Sequence, residues 1–218
     1  MNCYLCDHPI LLQVTWRSIF SNEPAQVICT RCQAGFERLP TGCPICGAKG
    51  KGKCHDCVQW DTTSYAGVLD SGTSLYDYNV AMRDYLHRYK FLQDVVLAEV
   101  FASVLKDHFQ KQKSVIVPIP MNKEKLKRRT FSQVDQLLEA ASVSYTHLLE
   151  KNEVVLGGKT KEQRLALKNV FCWNGQPVPE KIVLFDDLYT TGSTMRMAAN
   201  VLKEHGAAEI NILTLIRA

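Results

Sequence analysis

The chain has 218 residues, is 46% hydrophobic and carries a formal net charge of +4, with nine cysteines. This balance excludes a disordered or fibrous chain, and no apolar run approaches the roughly 18 residues that a membrane span needs. Mild basicity permits nucleic-acid binding without requiring it. The opening MNCYLCDHPI lacks the charged-then-apolar layout of a signal peptide, so the thiols are expected in a reducing cytoplasm, binding metal rather than pairing.

Eight cysteines fall in four C-x-x-C pairs: Cys3/Cys6, Cys29/Cys32, Cys43/Cys46 and Cys54/Cys57. Each pair sets two sulfurs on one side of a tight knuckle, and two knuckles complete a tetrahedral S4 site suited to structural zinc. Four knuckles make two sites. Sequential pairing is the simplest, and crossed pairing is the alternative. His8 and His55 read as bystanders, because cysteines already fill both sites. Thiol exchange does not need four copies of the motif. The segment 1–57 is too short for an apolar core, so metal is expected to supply much of its folding free energy. It reads as a double zinc ribbon, with Lys49, Lys51 and Lys53 on its surface.

The stretch 60–78 reads as short strand pieces broken at Ser71-Gly72. Ala81, Met82, Tyr85, Leu86 and Tyr89 then keep helical spacing, and so do Leu97, Val100, Phe101, Val104 and Leu105. Between these helices Arg88 and Lys90 are candidates to face a ligand. Residues 115–119 form the next apolar strand, ending in Pro118, Ile119 and Pro120. A basic run follows at once: Lys123, Lys125, Lys127, Arg128 and Arg129. Such a run is usually a solvated face, but its place after a presumptive ligand loop favours anion binding. Residues 133–141 read as a helix and 143–149 as a strand. The segment 157–167, GGKTKEQRLAL, reads as a mobile loop, and Cys172 as a small buried hydrophobe.

The most informative stretch is 181–194, KIVLFDDLYTTGST. Its apolar run, 182–185, is that of a strand buried on both faces of a parallel sheet. Asp186 and Asp187 stand at its C-terminal end, where open α/β sheets bind ligands. Thr190, Thr191, Gly192, Ser193 and Thr194 then lead into a helix. That loop can aim N–H groups and hydroxyls at one phosphate. Bare carboxylates beside a phosphate repel it, so hydroxyl donors or a divalent cation must lie between. A ribose 5-phosphate offers both a diol for the acids and a phosphate for the loop. The two aspartates are expected to face solvent. Gly206 stops the helix, and 211–216 form a last strand.

These residues resemble the phosphoribosyl-pyrophosphate (PRPP) motif of type I phosphoribosyltransferases. The resemblance implies that Asp186 and Asp187 hold the ribose hydroxyls, that residues 190–194 hold the 5-phosphate, and that Mg2+ accompanies PRPP. It also makes the loop at Pro118, Ile119 and Pro120 a pyrophosphate cradle. The expected architecture is a phosphoribosyltransferase-like α/β domain over 59–218. Its parallel sheet has four or five strands with helices on both faces, and the double zinc ribbon of 1–57 precedes it.

Cysteine knuckles, the R-Y-K-F helix end, V-P-I-P with basic residues, and FDDLYTTGST together resemble the ComF family over nearly the whole length. Family members read R-G-F-N-Q where this chain has Arg129, Thr130, Phe131, Ser132 and Gln133. A glutamine- and arginine-bearing family motif is matched only faintly, by Gln163, Arg164 and Asn169. The resemblance implies a cytoplasmic protein of natural transformation, acting on incoming single-stranded DNA beside a ComFA-like competence helicase. Three readings follow: a PRPP site used as a switch, an active phosphoribosyltransferase on a nucleobase or amine, or a zinc-ribbon nucleic-acid adaptor with a vestigial fold. Lys49, Lys51 and Lys53, the run from Lys123 to Arg129, and Trp60 or Phe131 as stacking surfaces are the DNA candidates.

Overall fold

Four parallel strands carry the molecule. The computed structural model describes residues 1–11, 26–151 and 170–218; residues 157–167, with Gln163, Arg164 and Asn169, lie outside them. The sheet contains β1 (Ser71–Asp77), β2 (Val115–Pro118), β5 (Lys181–Tyr189) and β6 (Glu209–Arg217), in the order β1-β6-β5-β2. The register sets Phe185 beside Leu213 and Leu184 beside Val117. A short antiparallel ribbon, β3 (Leu149–Lys151) with β4 (Phe171–Trp173), stands apart from it.

Strand periodicity sends alternate residues of β5 into two separate cores. Val183 and Phe185 join Tyr85, Leu86 and Tyr89 of α3 (Val80–Phe91), Leu105 of α4 (Ala102–Phe109) and Leu137 of α6 (Gln133–Ala140). Ile182 and Leu184 join Ala198, Ala199 and Leu202 of α7 (Ser193–Glu204). Both faces of the sheet are therefore covered, as an all-parallel sheet requires.

The N-terminal cysteines take part in both cores. Cys3, Ile28 and Phe36 belong to the first, with the Phe36 ring 5.0 Å from Phe101. Cys43, Cys46 and Cys57 belong to the second. Short helices follow two knuckles, α1 (Thr30–Ala34) and α2 (His55–Trp60).

Three expectations need correction. Ser71 and Gly72 lie inside β1 and do not break it. Gly72 is a docking point instead: its N–H donates to the Pro44 carbonyl at 2.8 Å, and a Cβ there would stand 2.3 Å from the Ile45 carbonyl oxygen. The strand expected over 143–149 is absent. Thr146 bonds once to the β2 edge, through the Ile116 carbonyl at 2.9 Å, and regular pairing begins only at Leu149, on the ribbon. The second helical stretch is a 3-10 turn over Val95–Phe101 that passes into α4.

Candidate phosphate site and metal centres

At the end of β5 the two aspartates differ. Asp187 is buried, 6% exposed, and its carboxylate pairs with Lys90 Nζ from the end of α3 at 2.6 Å. Solvent exposure was the expectation; the ion pair takes its place because α3 packs across the strand end. Asp186 is half-buried and accepts the Asp187 N–H at 2.9 Å. Burial, and then the neighbouring Asp187 carboxylate, push the Asp186 carboxyl up to about 7, against the pull of Lys90 and Lys151. Lys90 thus neutralises one acid, and the other sits near its titration point at neutral pH. The electrostatic cost of bringing a phosphate here is correspondingly lowered. Arg88 turns elsewhere, with Nη1 on the Leu5 carbonyl at 2.9 Å and Nη2 on Asp94 at 2.6 Å.

The loop after β5 wraps the start of α7. Gly192 is the N-cap at φ 79° and has no side chain to cap with; Thr191 Oγ1 accepts the Ser193 N–H at 3.5 Å, and helix geometry leaves the next N–H groups without an intrahelical partner. Thr191 and Ser193 hydroxyls lie 3.1 Å apart beside them. Gly192 is obligatory, because a Cβ would fall 2.0 Å from Tyr189 Oη and 2.3 Å from Arg196 Nη1. Beneath it Arg196 is 2% exposed and donates to Tyr189 Oη at 2.8 Å. From the other side Trp60 Nε1 donates to the Thr191 carbonyl at 3.0 Å.

On the β2 side, Ile119 N–H donates to the Phe185 carbonyl at 2.9 Å, which draws Pro118, Ile119 and Pro120 against the same strand end. Asn122 then caps α5 (Lys123–Arg129), accepting from Glu124 N–H at 2.8 Å. Lys123, Lys125, Lys127 and Arg128 are exposed on it. Arg129 is not: its guanidinium bonds Gln133 Oε1 at 2.8 Å and stacks over Phe91. Lys125 lies within electrostatic reach of half-buried Lys151, which in turn senses Asp186. Nothing in the sequence marked Lys151, which stands just before the glycine-rich segment.

The eight N-terminal cysteines gather sequentially into two groups, Cys3/Cys6/Cys29/Cys32 and Cys43/Cys46/Cys54/Cys57, with sulfurs within 4.8 Å of one another. Cys6 and Cys29 sulfurs are 3.7 Å apart, and Cys46 and Cys54 sulfurs 3.5 Å. A tetrahedron of sulfurs at zinc–sulfur distance has edges of about 3.8 Å, so the donor set fits that ion. In each group burial resists ionisation of the leading thiol. Backbone N–H groups outweigh it and bring Cys3 and Cys43 down to about 6. Burial and neighbouring thiols drive Cys32 and Cys46 well up. Four thiols so crowded ionise together only around a cation. Cys172 is half-exposed rather than buried, on β4 beside the Glu150 carbonyl.

Of the ribbon lysines, Lys49 pairs with Asp77 at 2.6 Å and Lys53 pairs with Asp61. A cleft of about 370 Å³ runs between the knuckle helix and the loop, lined by Asp56, Gln59, Trp60, Thr63, Thr190 and Thr191.

Known proteins resemble the whole chain. Competence protein ComFC of Streptococcus pneumoniae is 35% identical over 223 residues, covering 100% of both chains. The chain belongs to the ComFC family. Competence protein ComFC of Bacillus subtilis is also 35% identical, over 99% of this chain and 94% of its own. The Escherichia coli relative, DNA utilization protein YhgH, is 25% identical over 99% and 96%. No family model matches. Among solved structures, the glutamine PRPP amidotransferase from B. subtilis is similar over 60% of this chain and 30% of its own, at 18% identity and TM-score 0.41. A Staphylococcus aureus hypoxanthine phosphoribosyltransferase is similar over 58% and 62%, at 13% identity and TM-score 0.32.

Proposed function

We propose that this chain is a cytoplasmic protein of natural transformation that binds a 5-phosphoribosyl ligand, PRPP with Mg2+, and engages incoming single-stranded DNA beside a ComFA-like helicase. The observation that carries the ligand reading is the strand end itself. Lys90 neutralises Asp187, and a helix N-terminus with glycine at its N-cap follows across a hydroxyl-rich loop. The competence reading rests on the names of the full-length relatives. In this reading residues 190–194 take the 5-phosphate and Asp186 and Asp187 the ribose hydroxyls. Pro118, Ile119 and Pro120 border the pyrophosphate. Mg2+ would sit among ligand phosphates and one or two carboxylates, its usual preference. Two zinc ions fill the cysteine groups.

Ligand binding then acts as a switch on DNA. Lys49 pairs with Asp77 at the end of β1 and α5 follows β2, and these two strands lie three spacings or about 14 Å apart across the sheet. A single strand laid along the sheet's C-terminal edge passes over the sugar-phosphate site. Because Lys49 and Lys53 are paired, α5 supplies most of the free positive charge. Active phosphoribosyl transfer is the second reading, favoured by the cleft beside Thr190 and Thr191, whose Trp60 and Gln59 suit a planar, hydrogen-bonding acceptor. Incubation with PRPP, Mg2+ and a panel of nucleobases and amines separates the two. Binding without pyrophosphate release supports the switch, and release with any acceptor makes the chain an enzyme.

A further inference from the structure

The second cysteine group and the phosphate loop share one buried arginine. Arg196 Nη2 donates to Cys57 Sγ at 3.2 Å, while Nη1 reaches Tyr189 Oη at 2.8 Å and the Gly192 carbonyl at 3.4 Å. The same guanidinium lies 4.8 Å from the Trp60 ring centre, and Trp60 itself bonds the Thr191 carbonyl. Trp60 ends the helix α2 that begins next to Cys54 and carries Cys57. Two routes therefore run from the sulfurs to the loop backbone, one through a side chain and one through a helix.

The chemistry gives this contact a direction. A divalent ion held by four thiolates carries two net negative charges, and burying them calls for cations close by. Arg196 answers from the loop side. Arg217 lies on β6, 4.5 Å over the Tyr189 ring and close enough to act on Cys46 by its charge. Once Cys57 is a metal-bound thiolate, its hold on Arg196 tightens. Arg196 is then fixed against Gly192, and the N–H groups at the start of α7 keep the geometry that receives phosphate. Among the described residues the first group has no such link: its neighbour Arg88 reaches the Leu5 carbonyl rather than a sulfur.

We propose that Arg196 is a positioning residue which couples metal at the Cys43/Cys46/Cys54/Cys57 group to sugar-phosphate binding at the loop, so that each raises the other's affinity. The coupling rests on the sugar-phosphate reading, and linkage makes it reciprocal.

The test uses full-length protein and ribose 5-phosphate as the probe. Zinc is titrated off with a competing chelator, with and without ribose 5-phosphate, while calorimetry measures the probe's binding. The Cys3/Cys6/Cys29/Cys32 group serves as an internal control. Ribose 5-phosphate is expected to tighten zinc at the second group about tenfold and leave the first unchanged. Arg196→Lys should keep the charge but abolish that difference. Trp60→Phe, which removes the bond to Thr191 and keeps an aromatic ring beside Arg196, should reduce it. With cobalt at the second group, ribose 5-phosphate should shift the thiolate absorption in the native protein and not in Arg196→Lys. If the probe binds yet zinc affinity and the cobalt spectrum stay unchanged, the coupling is wrong and the site survives. If the probe does not bind at all, the sugar-phosphate reading falls and the coupling with it. If Arg196→Lys fails to fold, the native cobalt shift and the Trp60→Phe titration still decide.

Discussion

The two cysteine groups have the same knuckles and different employment. In the first, Cys6 is exposed, and the group rests on an aromatic floor of Phe36, Tyr85 and Phe101, bound to the sheet's outer helices. In the second, Cys43, Cys46 and Cys57 are buried. Gly47 packs so close to β1 that a Cβ would lie 2.5 Å from Ser74 N, and Ser74 Oγ donates to the Cys46 carbonyl at 3.1 Å. One group staples a terminus to a core face. The other is part of the floor under the ligand loop. The shared C-x-x-C knuckles say what kind of ion suits each group; packing decides what that ion would support.

The largest expected difference follows directly. Cys57→Ser should lose one zinc, cost about 3 kcal/mol or more by denaturant titration, and weaken ribose 5-phosphate at least tenfold. Cys6→Ser should lose the other zinc and leave sugar-phosphate affinity within about twofold. Equal effects of the two substitutions on ligand binding would erase the contrast.

Next in size is the Lys90–Asp187 ion pair near the end of β5. Asp187→Ala leaves Lys90 buried without its partner, so it should destabilise the fold by about 3 kcal/mol as well as abolish Mg2+-dependent PRPP binding. The double variant Asp187→Ala with Lys90→Met should recover most of the stability and none of the binding. Recovery of binding would remove Asp187 from the site.

Asp186 gives a smaller, pH-dependent signature. Its folded carboxyl titrates near about 7, above the value of 3.8 for a free aspartate. The protonated form is the one the fold favours, so this contribution is full below the unfolded value and is lost as pH rises through 7. Stability of the native protein should therefore decline from pH 5 to 8, and Asp186→Asn should flatten that decline. PRPP binding with Mg2+ should move oppositely, strengthening as the carboxylate forms. A binding profile that is level across pH 6 to 8 would separate Asp186 from the ligand.

The mildest effect concerns DNA. Four exposed cations on α5 imply a log–log salt slope of about −3 for a single strand. Replacing Lys127 and Arg128 with alanine should shallow it by about 1.4. Adding Arg129→Ala should shift the slope little more, because that guanidinium is committed to Gln133 and Phe91. An unchanged slope in the double variant would move the track toward the cysteine groups.

What the sequence revealed was local. The β5 run, the loop to Thr194 and the four knuckles each lie within a few residues, where spacing translates directly into geometry. The break read at Ser71-Gly72 shows the limit: glycine marks a turn and a close approach alike, and only the docked knuckle tells them apart. Arg196 carries no local signal in the sequence, because its partners Cys57 and Trp60 lie far upstream in the chain. Lys90 and Asp187 are likewise distant in sequence, so the pair that neutralises the site had no local signal. Lys151 joins the site only because the ribbon of β3 and β4 brings it there.

The most direct test of the ligand reading is a calorimetric titration of PRPP into the zinc-loaded protein at saturating Mg2+. One binding site per chain, weakened at least tenfold without Mg2+ and absent in Asp187→Asn, is the predicted result. No heat of binding in a protein that carries two zinc ions and folds normally would contradict it.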